Sequence, residues 1–158
     1  MAVVDMFLKL DGVDGESDDA GHKGEIQIDS FSVGVDSPRD LYTNQATGAN
    51  LWGHMIFRAK VDKSTPKLFS KIAKNEKIPT AVLTCRKAGK EPFEFFKVTL
   101  SEVLVVGVHA GKLEDDDVLP PCIFSLAYGK IEVSAKEQTS TGPTSGPIVF
   151  TFNLMQNK

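Results

Sequence analysis

The sequence is short of cysteine, of charge excess and of long apolar runs, and each shortage excludes a class of protein. It holds two cysteines, Cys85 and Cys122, far apart in the chain. A small disulfide-stapled scaffold needs more, and no Cys or His pair has the spacing of zinc ligands. Both thiols are expected to be reduced and buried, with a single bridge between them left open. Lys and Arg total 18 against 21 Asp and Glu, a net charge of −3. A dedicated nucleic-acid binder carries a basic excess, so nucleic acid is not an expected partner. No apolar run approaches the ~20 residues that span a bilayer, and no membrane anchor is expected. The opening Met1-Ala2-Val3-Val4-Asp5 lacks a basic start and places an acid in its first apolar stretch. That is not a Sec-type signal peptide, so any export takes another route.

Catalytic signals are missing as well. The three histidines, His22, His54 and His109, are scattered, and no serine sits in a G-x-S-x-G elbow. Gly107-Val108-His109-Ala110-Gly111-Lys112 has three residues between its glycines and Leu113 after the lysine. A phosphate loop needs four, then Ser or Thr, so this reads as a glycine-rich turn. Glu114-Asp115-Asp116-Asp117 lacks the alternation of a calcium loop and reads as a solvated acidic tract. The expectation is no catalytic residue, no cofactor and no metal site.

What is present is a core and many turns. Hydrophobic residues make up 41% of 158, enough for one domain over 1–158, and Gly 13 and Pro 8 fall between apolar runs. Val3 to Leu10 alternates, with Val4, Met6, Leu8 and Leu10 on one face, and stops at Asp11-Gly12. In Glu25 to Val35 the apolar positions switch parity, from Ile26 and Ile28 to Phe31, Val33 and Val35. A strand changes face only with an extra residue, so a β-bulge is predicted near Asp29-Ser30. Asp36 to Asn50 is a long polar loop, of a length that is usually functional or disordered. Its Leu41 and Tyr42 are candidate anchors for a partner surface.

Further strands are expected over Leu51–Val61, Thr80–Lys87, Phe93–Leu100, Glu102–Val108, Ile123–Lys136 and Ile148–Met155, with a bend at Gly129. Lys87-Ala88-Gly89-Lys90 reads as a hairpin, and Gln138 to Pro147 as a flexible loop. One helix is expected after Ser64-Thr65-Pro66, capped by a hydroxyl. Leu68, Phe69, Ile72 and Ala73 face inward, and Lys67, Lys71 and Lys74 face outward. The class is therefore mainly β, a two-sheet β-barrel of about eight strands with one helix packed on it.

Several segments, in order, resemble the Hcp family, the tail-tube proteins of type VI secretion systems. They are the opening Val4-Asp5-Met6-Phe7-Leu8-Lys9-Leu10-Asp11-Gly12-Val13-Asp14-Gly15-Glu16-Ser17 and Asp62-Lys63-Ser64-Thr65-Pro66 before the helix. Arg86-Lys87-Ala88-Gly89, Val98-Thr99-Leu100-Ser101-Glu102-Val103-Leu104-Val105 and Lys130-Ile131-Glu132-Val133 complete the set. The resemblance implies a homohexameric ring with a central channel. Rings stack into a tube, capped by a spike protein and enclosed by a contractile sheath, and small effector proteins ride in the lumen. It implies assembly in the cytoplasm, then secretion by the type VI system without a signal peptide. Ser32 falls where the matching segment faces the channel, which makes it the implied cargo contact. The loop carrying Leu41 and Tyr42 is the expected inter-subunit or inter-ring contact. A ring requires two unlike surfaces on each copy. Two other readings remain, a bacteriophage tail-tube-like protein and a monomeric ligand-binding β-barrel.

Overall fold

A computed structural model describes residues 4–89, 91–111, 119–137 and 146–158. The acidic tract 114–117 and most of the 138–147 loop lie outside the described residues. Strand β1 (Val4–Leu10) pairs with β2 (Ile26–Ser32) and β6 (Ile78–Lys87). Its expected inner face holds for Leu8 and Leu10, but Val4 is exposed and Phe7, on the opposite side, is also buried. The polar segment after β1 folds back over that side. The His22 ring stacks on Phe7 with centroids 4.6 Å apart, and the Arg86 guanidinium lies 5.0 Å from the same ring.

The parity switch in the second apolar run is a real irregularity. The pairing of β2 with β5 (Met55–Lys60) shifts register between Ile28 and Ser30, as expected. Beyond Ser32 the expected strand does not continue. Val35–Asp36 form β3, which pairs instead with β4 (Leu51–Trp52) in a separate two-stranded ribbon. The expected strand Leu51–Val61 is thus two strands, broken at Gly53-His54.

Two other expected strands are one. Strand β7 runs 18 residues from Phe93 to Ala110 and bends at Glu102, whose φ is +53°. Its first part pairs with β6 and β9 (Lys130–Ala135), its second with β8 (Pro121–Ala127). The expected strand Ile123–Lys136 divides into β8 and β9 at Gly129. A Cβ on Gly129 would sit 3.0 Å from the Glu102 Cβ and 2.7 Å from Met155 Sδ. The glycine therefore lets the two bends cross closely. Strand β10 (Ile148–Asn153) pairs, among the described residues, with β9 alone.

The order β7-β6-β1-β2-β5-β8 closes on itself through the β7–β8 pairing, giving a six-stranded barrel. Strands β9 and β10 extend one sheet beyond it. The barrel interior is filled by side chains: Phe57, Met55, Leu126, Leu8, Ile26 and Phe124 are each 0–1% exposed. Phe57 and Phe124 stack at 5.1 Å. Each such side chain contributes about 1.5–3 kcal/mol by leaving water. Cys85 and Cys122 are free and buried in this core, and burial pushes the Cys85 thiol up to about 11.

Helix α1 (Ser64–Lys74) lies against β7. Its cap differs from expectation. No hydroxyl caps it; the Asp62 carboxylate accepts the Ser64 N–H at 2.8 Å. Asn75, at φ 51°, closes the far end, and its N–H donates to the Ile72 carbonyl. Only Leu68 of the expected stripe is fully buried; Phe69 is 45% exposed, and Ala73 also faces solvent. The helix is seated by Leu68, the partly buried Ile72 and the Ser64-Thr65 turn, so much of its surface stays outside the core.

Candidate functional site

The segment 36–50 is a built arm rather than a formless loop. At its base β3 pairs with β4, and the Gly53 N–H donates to the Gly34 carbonyl at 3.0 Å. Trp52 stacks on Phe152 at 5.2 Å and on Phe150 at 6.3 Å, and Tyr128 Oη donates to the Gly53 carbonyl at 2.8 Å. These contacts fix the arm to the extended sheet. Further out, Arg39 bridges Ala46, and the Thr47 N–H donates to the Pro38 carbonyl at 3.1 Å.

Asp40 organises the tip. Its Oδ1 accepts the Tyr42 N–H at 2.8 Å and the Thr43 N–H at 2.9 Å. The Asn44 N–H reaches the Asp40 carbonyl at 2.9 Å, and the Asp40 N–H reaches Gln45 at the same distance. Asn44 takes φ 58°, a left-handed conformation that asparagine tolerates. The two donated N–H groups, Thr43 first, hold the Asp40 carboxyl below its ordinary value. On this turn Leu41 and Tyr42 are 95% and 96% exposed. Neither is buried against its own chain, yet the backbone that carries them is closely hydrogen-bonded. Such a tip spares the backbone part of the ordering cost on binding.

Ser32 lies elsewhere, near the arm's base on the outer face of the sheet β2-β5-β8-β7. Register places it in a row with Ile56, Ser125 and Gly107, and Ser30 in the next row with Arg58, Ile123 and His109. Met55, Phe57 and Ala59 point to the core, so these alternate residues face out. A groove of about 470 Å³ borders the first row, lined by Ser32, Asp36, Leu51, Trp52, His54 and Ser125 among others. The three residues singled out by sequence thus fall in two places, Leu41 and Tyr42 at the tip and Ser32 on the sheet.

Sequence reasoning missed a second exposed apolar surface on β10. Ile148, Val149 and Phe150 are 83%, 48% and 50% exposed, and among the described residues β10 pairs on one edge only. The run Ile148-Val149-Phe150-Thr151-Phe152, apolar at four of five positions, was the available signal. Edges of this kind are usually covered or paired.

The histidines do not form a site. His22 is 8% exposed, its Nδ1 is 2.9 Å from Glu25 and its Nε2 is 3.1 Å from Glu94. His54 lies between β4 and β5 rather than inside a strand, and His109 lies inside β7 rather than after it. Among the described residues, no group of three or more His, Cys, Asp or Glu is placed to hold a metal. No helix among them is long and apolar enough to cross a membrane.

Comparison with known proteins agrees with this geometry. The family described as "Type VI secretion system effector, Hcp" matches residues 7–134. Protein hcp1 of Pseudomonas aeruginosa is 34% identical, covering 98% of this chain and 97% of its own. A crystal structure of Hcp1 from Salmonella typhimurium superposes with a TM-score of 0.80 at 28% identity, covering 100% of this chain and 99% of that one. A structure titled as a type six secretion system protein gives 0.90 at 24% identity, covering 99% of each, and shows the fold. The chain belongs to the Hcp family, the secreted tube proteins of type VI secretion systems, whose role is structural and not enzymatic.

Proposed function

We propose that copies of this chain close head-to-tail into a homohexameric ring, and that rings stack into a tube. The tube is capped by a spike protein and enclosed by a contractile sheath. Small effector proteins travel in the lumen against the sheet that bears Ser32. The protein assembles in the cytoplasm and leaves through the type VI system. The observation that carries the reading is the arm tip: two apolar side chains, 95% and 96% exposed, on a preformed turn. A monomer gains nothing from holding them in water, whereas a neighbour does. The filled barrel interior speaks against a monomeric ligand-binding barrel, because no space for a guest remains where such proteins hold one. A phage tail-tube-like protein is distinguished mainly by its partners.

Negative-stain microscopy of the purified protein tests the proposal. Rings with open centres are expected, and Leu41→Ser with Tyr42→Ser should reduce rings or stacks while leaving the folded signal intact. Single compact particles at high concentration would end it. The Ser32 role is tested separately with Ser32→Gln, a bulkier side chain. Cargo retention should fall, and unchanged retention removes Ser32 from the lumen contact.

A further inference from the structure

Leu41 and Tyr42 require an apolar seat, and a second surface of the molecule has the matching chemistry. A groove of about 380 Å³ runs beside the start of β7, the end of β9 and the entry to β10. Phe93, Phe95, Lys97, Ser134, Lys136 and Pro147 are among its lining residues. Phe93 and Phe95 are only half-buried, so their rings remain available. Lys136 Nζ lies 5.9 Å from the Phe93 centroid, and Lys87 Nζ lies 5.8 Å from Phe95. The exposed Val149 stands opposite Ser134 in the β9–β10 register, on the side of the sheet that the groove occupies.

We infer that this groove receives the Leu41–Tyr42 tip of a second copy of the chain. The inference rests on the head-to-tail reading above and names its receiving surface. Three observations select a second copy as occupant. The tip and the groove are unlike surfaces on one chain, as a closed ring or a stack requires. The groove supplies aromatic faces for a leucine and a tyrosine, and its volume falls in the range that holds a small compact group. Charge is complementary: Lys97 and Lys136 outnumber Glu94 in the groove lining, and Lys87 stands over the Phe95 ring nearby, while the arm carries Asp36 and Asp40 against the single Arg39. Tyrosine anchors in pockets of this kind commonly dominate an interface.

The test mixes two full-length variants, Thr43→Cys, beside the intact Leu41–Tyr42 anchors, and Ser134→Cys, and joins nearby thiols with a short bismaleimide. The expected result is a covalent heterodimer that needs both cysteines. It should disappear when Leu41→Asp is added to the first chain or Lys136→Glu to the second. Independently, Phe93→Ser should raise the concentration for half-assembly roughly tenfold or more, read by light scattering. Lys136→Glu, at an exposed position, gives the same readout should Phe93→Ser fail to fold. Assembly with no cross-link and with wild-type behaviour of Lys136→Glu overturns the groove and leaves the ring reading standing. Absence of any assembly overturns both.

Discussion

The barrel and the arm treat apolar side chains in opposite ways. Inside the barrel, Phe57 and Phe124 are 0% and 1% exposed and stack on each other. At the arm tip, Leu41 and Tyr42 are almost wholly in water, yet their backbone is held by five hydrogen bonds within residues 40–45. The first region derives its order from burial. The second derives it from a local polar turn, which leaves the side chains free for something else. Fold stability and assembly are therefore separable in this molecule.

Substitutions can break or sharpen that contrast. Phe57→Ala should have the largest effect, destabilising by about 3–5 kcal/mol in chemical denaturation, because its cavity cannot collapse between paired strands. A cost below ~1 kcal/mol would mean that the barrel is not the stabilising unit. Gly15→Ala comes next. The Gly15 N–H donates to the Gly24 carbonyl at 2.8 Å, and an added Cβ would meet the Glu25 carbonyl oxygen at 2.5 Å. Backbone on both sides must shift, at about 1–3 kcal/mol, read from the same denaturation curve.

Acid provides a third test. Arg86 binds Asp19 through both guanidinium ends and also lies 3.5 Å from Asp5, tying the 15–24 segment to β6 and β1. The hydrogen bonds from Arg86 hold the Asp19 carboxyl below its ordinary value. A carboxyl held low contributes stability above its unfolded-state value, and the contribution is lost as pH falls through its folded-state value. Asp19→Asn should therefore lower stability at neutral pH and flatten its dependence below the usual carboxylate range. An acid-unfolding profile parallel to wild type would contradict this. Smallest of all, Leu41→Ser with Tyr42→Ser should change monomer stability by no more than about 0.5 kcal/mol. A cost like that of Phe57→Ala would place the arm in the core after all.

Local patterns carried much of the fold into the sequence. The parity switch after Ile28 located the bulge, and Gly129 marked the break between β8 and β9. What stayed hidden depends on partners far away in the chain. Glu102 bends β7 at a positive φ without ending it, so one bent strand read as two. The β3–β4 ribbon joins residues 35–36 to 51–52 across the arm, and pairs of two residues carry no periodicity. Arg86 meets Asp19 across 67 positions, which no window along the sequence detects. For the candidate site, Leu41 and Tyr42 stood out because they interrupt a polar run. Nothing in that run announced the Asp40 turn that holds them out. The Phe93-Glu94-Phe95-Phe96 strand was visible, but its lysine rim assembles only when β9 comes alongside.

Strand β10 sits at the margin of the extended sheet and, among the described residues, is hydrogen-bonded on one side only. Strand β1, near the other terminus, is clamped between two neighbours. A tether fixed beyond Asn153 and pulled outward would peel β10 away rung by rung at low force. The same tether placed ahead of Val4 would load two ladders at once, in shear. A passenger fused to this chain should resist pulling better ahead of β1 than behind β10.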